Sequence, residues 1–221
     1  SFKLTANSHE MLLQKFALEF GDSRLQTEDI HLTYNNFDSF KHFADQGHFA
    51  VRTKQSYITM QDISMFVPAL KNFEDRMNFF ISAKGSLNNL TISRFTLDAG
   101  RKLQLQMNGL TQGTTDLSKV YFSANLPNMS INSEGMNFIT RNFINKKGKL
   151  PAILNNLGDI NFKGKISGYL SQITMAGLLH SAIGTLKTDL RIGHQNKYTY
   201  TYRGDVNATD GSTLSLLSNT A

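Results

Sequence analysis

Between Asp159 and Val206 the chain alternates apolar and polar residues almost without a break. Ile160, Phe162, Gly164, Ile166, Gly168 and Leu170 stand against Asn161, Lys163, Lys165, Ser167 and Tyr169. Strict alternation predicts a strand with one apolar and one wet face, because successive strand side chains point to opposite sides of a sheet. The pattern resumes after Gly184 with Leu186, Thr188, Leu190 and Ile192, and again after His194-Gln195-Asn196 with Tyr198, Tyr200, Tyr202, Gly204 and Val206. Three long strands are therefore expected here, each beyond the usual five or six residues.

The same period governs most of the preceding chain. Leu12, Gln14, Phe16, Leu18 and Phe20 predict one strand, turned at Gly21-Asp22-Ser23 and answered by Ile30, Leu32 and Tyr34. Ser39 to Gln46 reads as a loop or one helical turn; Gly47, Phe49 and Val51 then alternate, and a short partner follows at Tyr57 to Met60. Ile63, Phe66, Val67 and Leu70 fall at helical spacing, with Asp62 placed to cap the first turn and Pro68 keeping the helix short. Met77, Phe79, Ile81, Ala83, Gly85 and Leu87 restore the strand period, and Asn88-Asn89 turns it into Leu90-Thr91-Ile92. The phase then slips to Phe95 and Leu97, which predicts a β-bulge near Ser93-Arg94. Leu103, Leu105 and Met107 follow, then Val120, Phe122, Ala124 and Leu126. Pro127 to Pro151 reads as a second interruption, with a helix opening at Ser133 and running through Phe138, Ile139 and Phe143.

The two interruptions introduce similar sequences. Met77-Asn78-Phe79 matches Ile160-Asn161-Phe162, and Gly85-Ser86-Leu87-Asn88-Asn89-Leu90 matches Gly168-Tyr169-Leu170-Ser171-Gln172-Ile173. The offset is 83 residues in both cases (160 − 77 and 168 − 85), and a Pro-Ala dipeptide precedes each copy, Pro68-Ala69 and Pro151-Ala152. The expected organisation is a single β-rich segment over 1–221, with candidate repeat units at 62–126 and 134–207. Repeats that each expose one apolar face stack into an extended sheet.

The run from Ile160 to Ile173, then Met175-Ala176-Gly177-Leu178-Leu179, Gly184-Thr185-Leu186-Lys187-Thr188-Asp189-Leu190 and Tyr202-Arg203-Gly204-Asp205-Val206, resembles the TamB/AsmA-like family of bacterial envelope proteins, in its Bacteroidetes form. Val67-Pro68-Ala69-Leu70 through Leu90 fits the same family, and Asp210 to Leu214 departs from its pattern. The resemblance implies an all-β fold, an elongated antiparallel sheet curled into an open trough with short helical interruptions. It implies a periplasmic location, anchored to the inner membrane by a segment outside this chain. The expected partners are phospholipid or another acyl-chain ligand and an outer-membrane barrel assembly protein resembling TamA. On this reading Phe79, Ile81, Leu103, Leu105, Phe122, Phe162, Ile166, Leu190 and Tyr200 share one concave, lipid-binding face. The alternation alone serves equally a non-catalytic or adhesin-like scaffold and a soluble carrier of hydrophobic ligands.

Composition narrows the chemistry. Charged residues make up 18% and apolar residues 40%, which supports a folded core with a wet face rich in Asn, Ser, Thr and Gln. The net charge of +6 is spread along the chain, with one local cluster at Lys146, Lys147 and Lys149. No Arg-rich helix or aromatic RNA-binding motif accompanies it, so a nucleic-acid partner is not expected. With no cysteine, disulfides and thiolate metal sites are excluded. No apolar run approaches the roughly 20 residues of a spanning helix, and Ser1-Phe2-Lys3-Leu4 already reads as a strand, as in a segment whose targeting signal lies elsewhere. His9, His31, His42, His48, His180 and His194 show no metal-pair spacing, and neither Gly-x-Ser-x-Gly nor a phosphate-cradling Gly-rich loop is present. Glu28 and Asp29 are neighbours, facing opposite sides of a strand, and make a poor acid–base pair. Neither an enzyme nor a cofactor is expected.

Overall fold

In the computed structural model the described residues are 2–36, 38, 47–63, 76–86, 88–113, 119–139, 158–169, 171–182, 184–196 and 199–208, without the side chains of Met60, Ile63, Phe138, Ile139, Ile192 and 194–208. They form one antiparallel sheet of fourteen strands, and the protein is all-β. The strands are β1 (Lys3–Ala6), β2 (Glu10–Gln14), β3 (Ala17–Phe20), β4 (Ser23–Thr33), β5 (His48–Thr53), β6 (Ser56–Thr59) and β7 (Arg76–Gly85). They continue with β8 (Asn89–Asp98), β9 (Leu103–Gln112), β10 (Tyr121–Ile131), β11 (Ile160–Tyr169), β12 (Gln172–Ser181), β13 (Gly184–Asn196) and β14 (Thr199–Ala208). Among the described residues two short helices interrupt them, α1 (Met60–Ile63) and α2 (Ser133–Ile139). Residues 39–46, 64–70 and 140–157, where the sequence places a loop and the bodies of two helices, lie outside the described residues, as does the Lys146–Lys149 cluster.

The topology is a meander. Path order is β1-β2-β4-β5-β7 and then consecutive to β14, with β3 and β6 sharing neighbours with β2 and β5. The sheet thus has twelve strand positions, two of them occupied by broken strands. Lys15, at φ 55°, breaks the first, where a lone left-handed residue turns the chain between β2 and β3. The second breaks at Lys54-Gln55, where hydroxyls replace the missing ladder bonds. Ser56 Oγ accepts from the Gln26 N–H at 2.9 Å and donates to a backbone carbonyl, and Thr53 Oγ1 accepts from the Ile81 N–H at 2.9 Å. Both residues are buried, so those backbone groups have no access to water and need the side-chain partners.

The expected bulge at Ser93-Arg94 is present: Ser82 stands opposite Arg94 but Ala83 opposite Ile92. A second bulge was not expected. β10 continues through Pro127 to Ile131, with Leu126 opposite Gly164 and Met129 opposite Phe162. Proline read as a terminator here, but a strand accommodates it at a bulge, where no ladder N–H is required. The expected three strands after Asp159 are four, because β12 was hidden by Leu178, an apolar residue on the polar face that is 40% exposed. The even-numbered face expected from Leu12 to Phe20 is corrected in β2 alone; beyond the Lys15 break β3 keeps it, with Leu18 opposite Leu25. Leu13 pairs with Ile30 and Leu12 with His31, so the odd residues of β2 carry the apolar face. Met11-Leu12-Leu13 is apolar throughout and leaves that choice to the pairing.

Asp62 does not cap α1. It lies within it and turns its carboxylate to the β3–β4 turn, accepting from the Ser23 hydroxyl, from Thr59 Oγ1 at 2.8 Å and from the Asp22 N–H at 3.0 Å. Gly21 lies beside it at φ +53°, and a β-carbon there would lie 2.0 Å from the Asp62 carboxylate and push that side chain aside. The cap of α2 falls on Asn132, whose Oδ1 accepts from the Gly135 N–H at 3.0 Å.

The two Gly-led turns share a geometry. Gly85 and Gly168 have φ of +137° and +138°, and a β-carbon on either would lie 2.1 Å from a backbone oxygen, that of Asn89 or Gln172. Only glycine tolerates both the dihedral and the contact. Gly85→Ala and Gly168→Ala should each destabilise the protein by about 1–3 kcal/mol, to a similar degree, in chemical denaturation.

Asp62 gives a second expectation. The Ser23 and Thr59 hydroxyls, and then the Asp22 N–H, hold its carboxyl below the ordinary value of 3.8. A depressed folded pKa contributes stability above the unfolded value, lost as pH falls through the folded one. Asp62→Asn should therefore melt at a lower temperature than wild type at neutral pH. The gap should close on acidification below 3.8.

Candidate functional site: the apolar face of the sheet

Directly opposed residues of an antiparallel pair lie on the same face, so the ladder shows how apolar residues align across strands. One row is Leu4, Leu13, Ile30, Val51, Ala83, Ile92, Gly109, Ala124, Ile166, Met175 and Leu190, each opposite the next from β1 to β13. A second, two residues along, is Ala6, Met11, Leu32, Phe49, Gly85, Leu90, Thr111, Phe122, Gly168 and Ile173. A third begins at β7: Phe79, Leu97, Leu105, Met129, Phe162, Leu179 and Leu186. Each row contains no charged residue.

The structure brings eight of the nine anticipated site residues onto this face. Phe79, Leu105 and Phe162 stand in the third row, Ile166 and Leu190 in the first, and Phe122 in the second. Ile81 lies between rows opposite Phe95, and Leu103 at one end opposite Ile131. Tyr200 stands opposite His194 in the ladder, and its side chain lies outside the described residues.

Burial divides these residues in two. Phe162 is 2% exposed, its ring over the bare backbone of Gly164, where a β-carbon would lie 2.7 Å from the ring tip. At the same end Ile131 and Ile160 are buried among Leu103, Met129, Leu179 and Met136, the last brought down by α2. That end is packed core. Phe79, Ile81, Leu105, Phe122, Ile166 and Leu190 are only half-buried, as are Phe95, Met107, Ile173 and Met175 beside them. A sheet ordinarily buries its apolar face against a second layer. Among the described residues no second sheet lies on this one.

Among the described residues the sheet has two free edges. β1 and β14 each pair with one neighbour and, among the described residues, not with each other. The opposite face is mainly polar: along β9, Gln104, Gln106, Asn108 and Gln112 are exposed, with Leu110 among them, while Leu103, Leu105 and Met107 are half-buried. Sequence reasoning missed Met129, Ile173, Met175 and Leu179, which belong to the rows. The Pro127 bulge and the unrecognised β12 concealed them.

The titratable groups do not converge. Among the described residues no three of His, Asp and Glu are placed to hold a metal ion. His31 Nε2 pairs with Glu10 Oε2 at 3.0 Å on the surface, and His180 Nδ1 with Thr185 Oγ1 at 2.7 Å. No described helix is long and apolar enough to cross a membrane. No protein family, curated protein or solved structure matches the chain.

The division in burial is measurable. Phe162→Ala should cost about 3–5 kcal/mol in denaturation. Leu190→Ala, at a half-buried position of the same face, should cost less than half as much.

Proposed function

We propose that the apolar face is a non-catalytic track for acyl chains, in a segment of an envelope protein that carries phospholipid between membranes or assists outer-membrane protein assembly. The observation that supports this is continuity. An uncharged row crosses eleven strand positions, and its larger residues toward the C-terminal end, Ile166, Met175 and Leu190, are only half-buried. A hydrocarbon chain laid on such a face removes apolar surface from water at about 25 cal/mol per Å². It also meets no buried charge along its length. The resemblance to TamB/AsmA-like proteins points the same way. A periplasmic, inner-membrane-anchored setting and a TamA-like barrel partner belong to this proposal.

A scaffold whose face is closed by other parts of the protein would use the same alternation, and the two readings differ in what touches Ile166. A photo-crosslinking amino acid at Ile166 should yield phospholipid adducts in cells. Adducts to protein alone would overturn the track and favour the scaffold. Ile166→Asp places a charge where acyl chains would strip its water, at a cost of several kcal/mol. The variant should keep its β-type circular dichroism and lose co-purifying lipid by native mass spectrometry; unfolding would indicate a closed core.

A further inference from the structure

The opposite face of the sheet carries its charge unevenly. β9 and β10 contain no charged residue at all. On β11 and β13, by contrast, Lys163, Lys165, Lys187 and Arg191 point away from the apolar rows and are exposed, with Asp189 the one acid among them. None of the four cations has an ion-pair partner among the described residues. The register of β14 does not change the balance, since Arg203 stands opposite Arg191 and Asp205 opposite Asp189.

Between the two basic strands lies an apolar ridge. Lys163 pairs with Leu178 and Leu178 with Lys187, so a leucine 40% exposed is flanked by a lysine on each side. The next step along β12 is Ala176, also exposed, between Lys165 and Asp189. Further along the same face Tyr169, 50% exposed, meets Tyr121 edge-on, with ring centroids 5.4 Å apart. The two lysines of the first row are roughly 10 Å apart across two strand spacings. An exposed Leu between lysines, with an exposed Tyr farther along the same face, matches a headgroup boundary, where the ammonium groups meet phosphate and the apolar tips enter the acyl margin.

We propose that the outer face of β11–β13 docks on an anionic lipid bilayer, with Lys163, Lys165, Lys187 and Arg191 supplying the charge and Leu178 the wedge. This surface is separate from the acyl track, on the other side of the same strands, and does not rest on that reading. A flat anionic surface suits it better than a nucleic acid. The cations form two short lines about an apolar ridge, without the aromatic and Arg-rich groove that tracks a single strand.

Co-sedimentation of the chain with phosphatidylglycerol–phosphatidylcholine vesicles, against phosphatidylcholine alone, tests the proposal. Binding should require the anionic lipid and weaken as salt rises. Lys163→Gln with Lys187→Gln should weaken it roughly 20- to 30-fold, since each lysine near an anionic surface contributes a factor of about five. Leu178→Ser should weaken it roughly tenfold. All three positions are exposed, so circular dichroism should confirm the wild-type fold. Ile166→Asp, on the other face, should leave vesicle binding unchanged even where it abolishes lipid co-purification. Equal binding to neutral vesicles, or binding indifferent to the lysine pair, would overturn the proposal. So would a DNA oligonucleotide that binds through the same lysines while vesicles do not.

Discussion

Everything in this molecule depends on holding one face in phase across a single layer of strands. Side chains alternate with period two, so one unmatched residue in any strand would turn its apolar set outward from that point on. Such residues occur at Ser93-Arg94 and around Pro127, where a bulge leaves the rows intact on both sides, and again at Glu28 in β4 and Gln195 in β13. Elsewhere the ladder runs without a slip for long stretches. From β11 to β12 nine consecutive pairs keep register, from Asn161 opposite His180 to Tyr169 opposite Gln172. The bulges therefore maintain the surface on which any ligand chemistry rests.

The break between β5 and β6 shows the same requirement from the side of hydrogen bonding. Where the backbone leaves the ladder, buried hydroxyls of Thr53 and Ser56 take over its bonds. Asp62 does the equivalent for the turn at Asp22-Ser23. An unpaired buried amide is costly, and at these two places a side chain supplies the missing bond.

How far the sequence could be read follows from these features. The long alternations gave β7, β9, β11 and β13 directly, and the slip after Ile92 located a bulge before any pairing was known. Pro127 misled because a lone proline signals an end more often than a bulge. Met11-Leu12-Leu13 could not declare its face, and Leu178 masked β12 by placing an apolar residue among the wet ones. The partner of Asp62 stands 40 residues away at Asp22, so spacing along the chain gave no sign of it. The same limit applies to the candidate site. Alternation identified most of the face, but the contrast between packed Phe162, its ring over Gly164, and half-buried Ile166 arises from packing that periodicity does not describe.

The matched glycines, Gly85 and Gly168, bear on reach. Each closes the first strand of a group of four, β7–β10 and β11–β14, and each group follows a short helix. With neighbouring strands about 4.8 Å apart, four strands widen the sheet by roughly 19 Å. Every added group starts from the same turn geometry and presents the same apolar side. The breadth of the sheet thus grows with the number of groups, while each group adds the same apolar side.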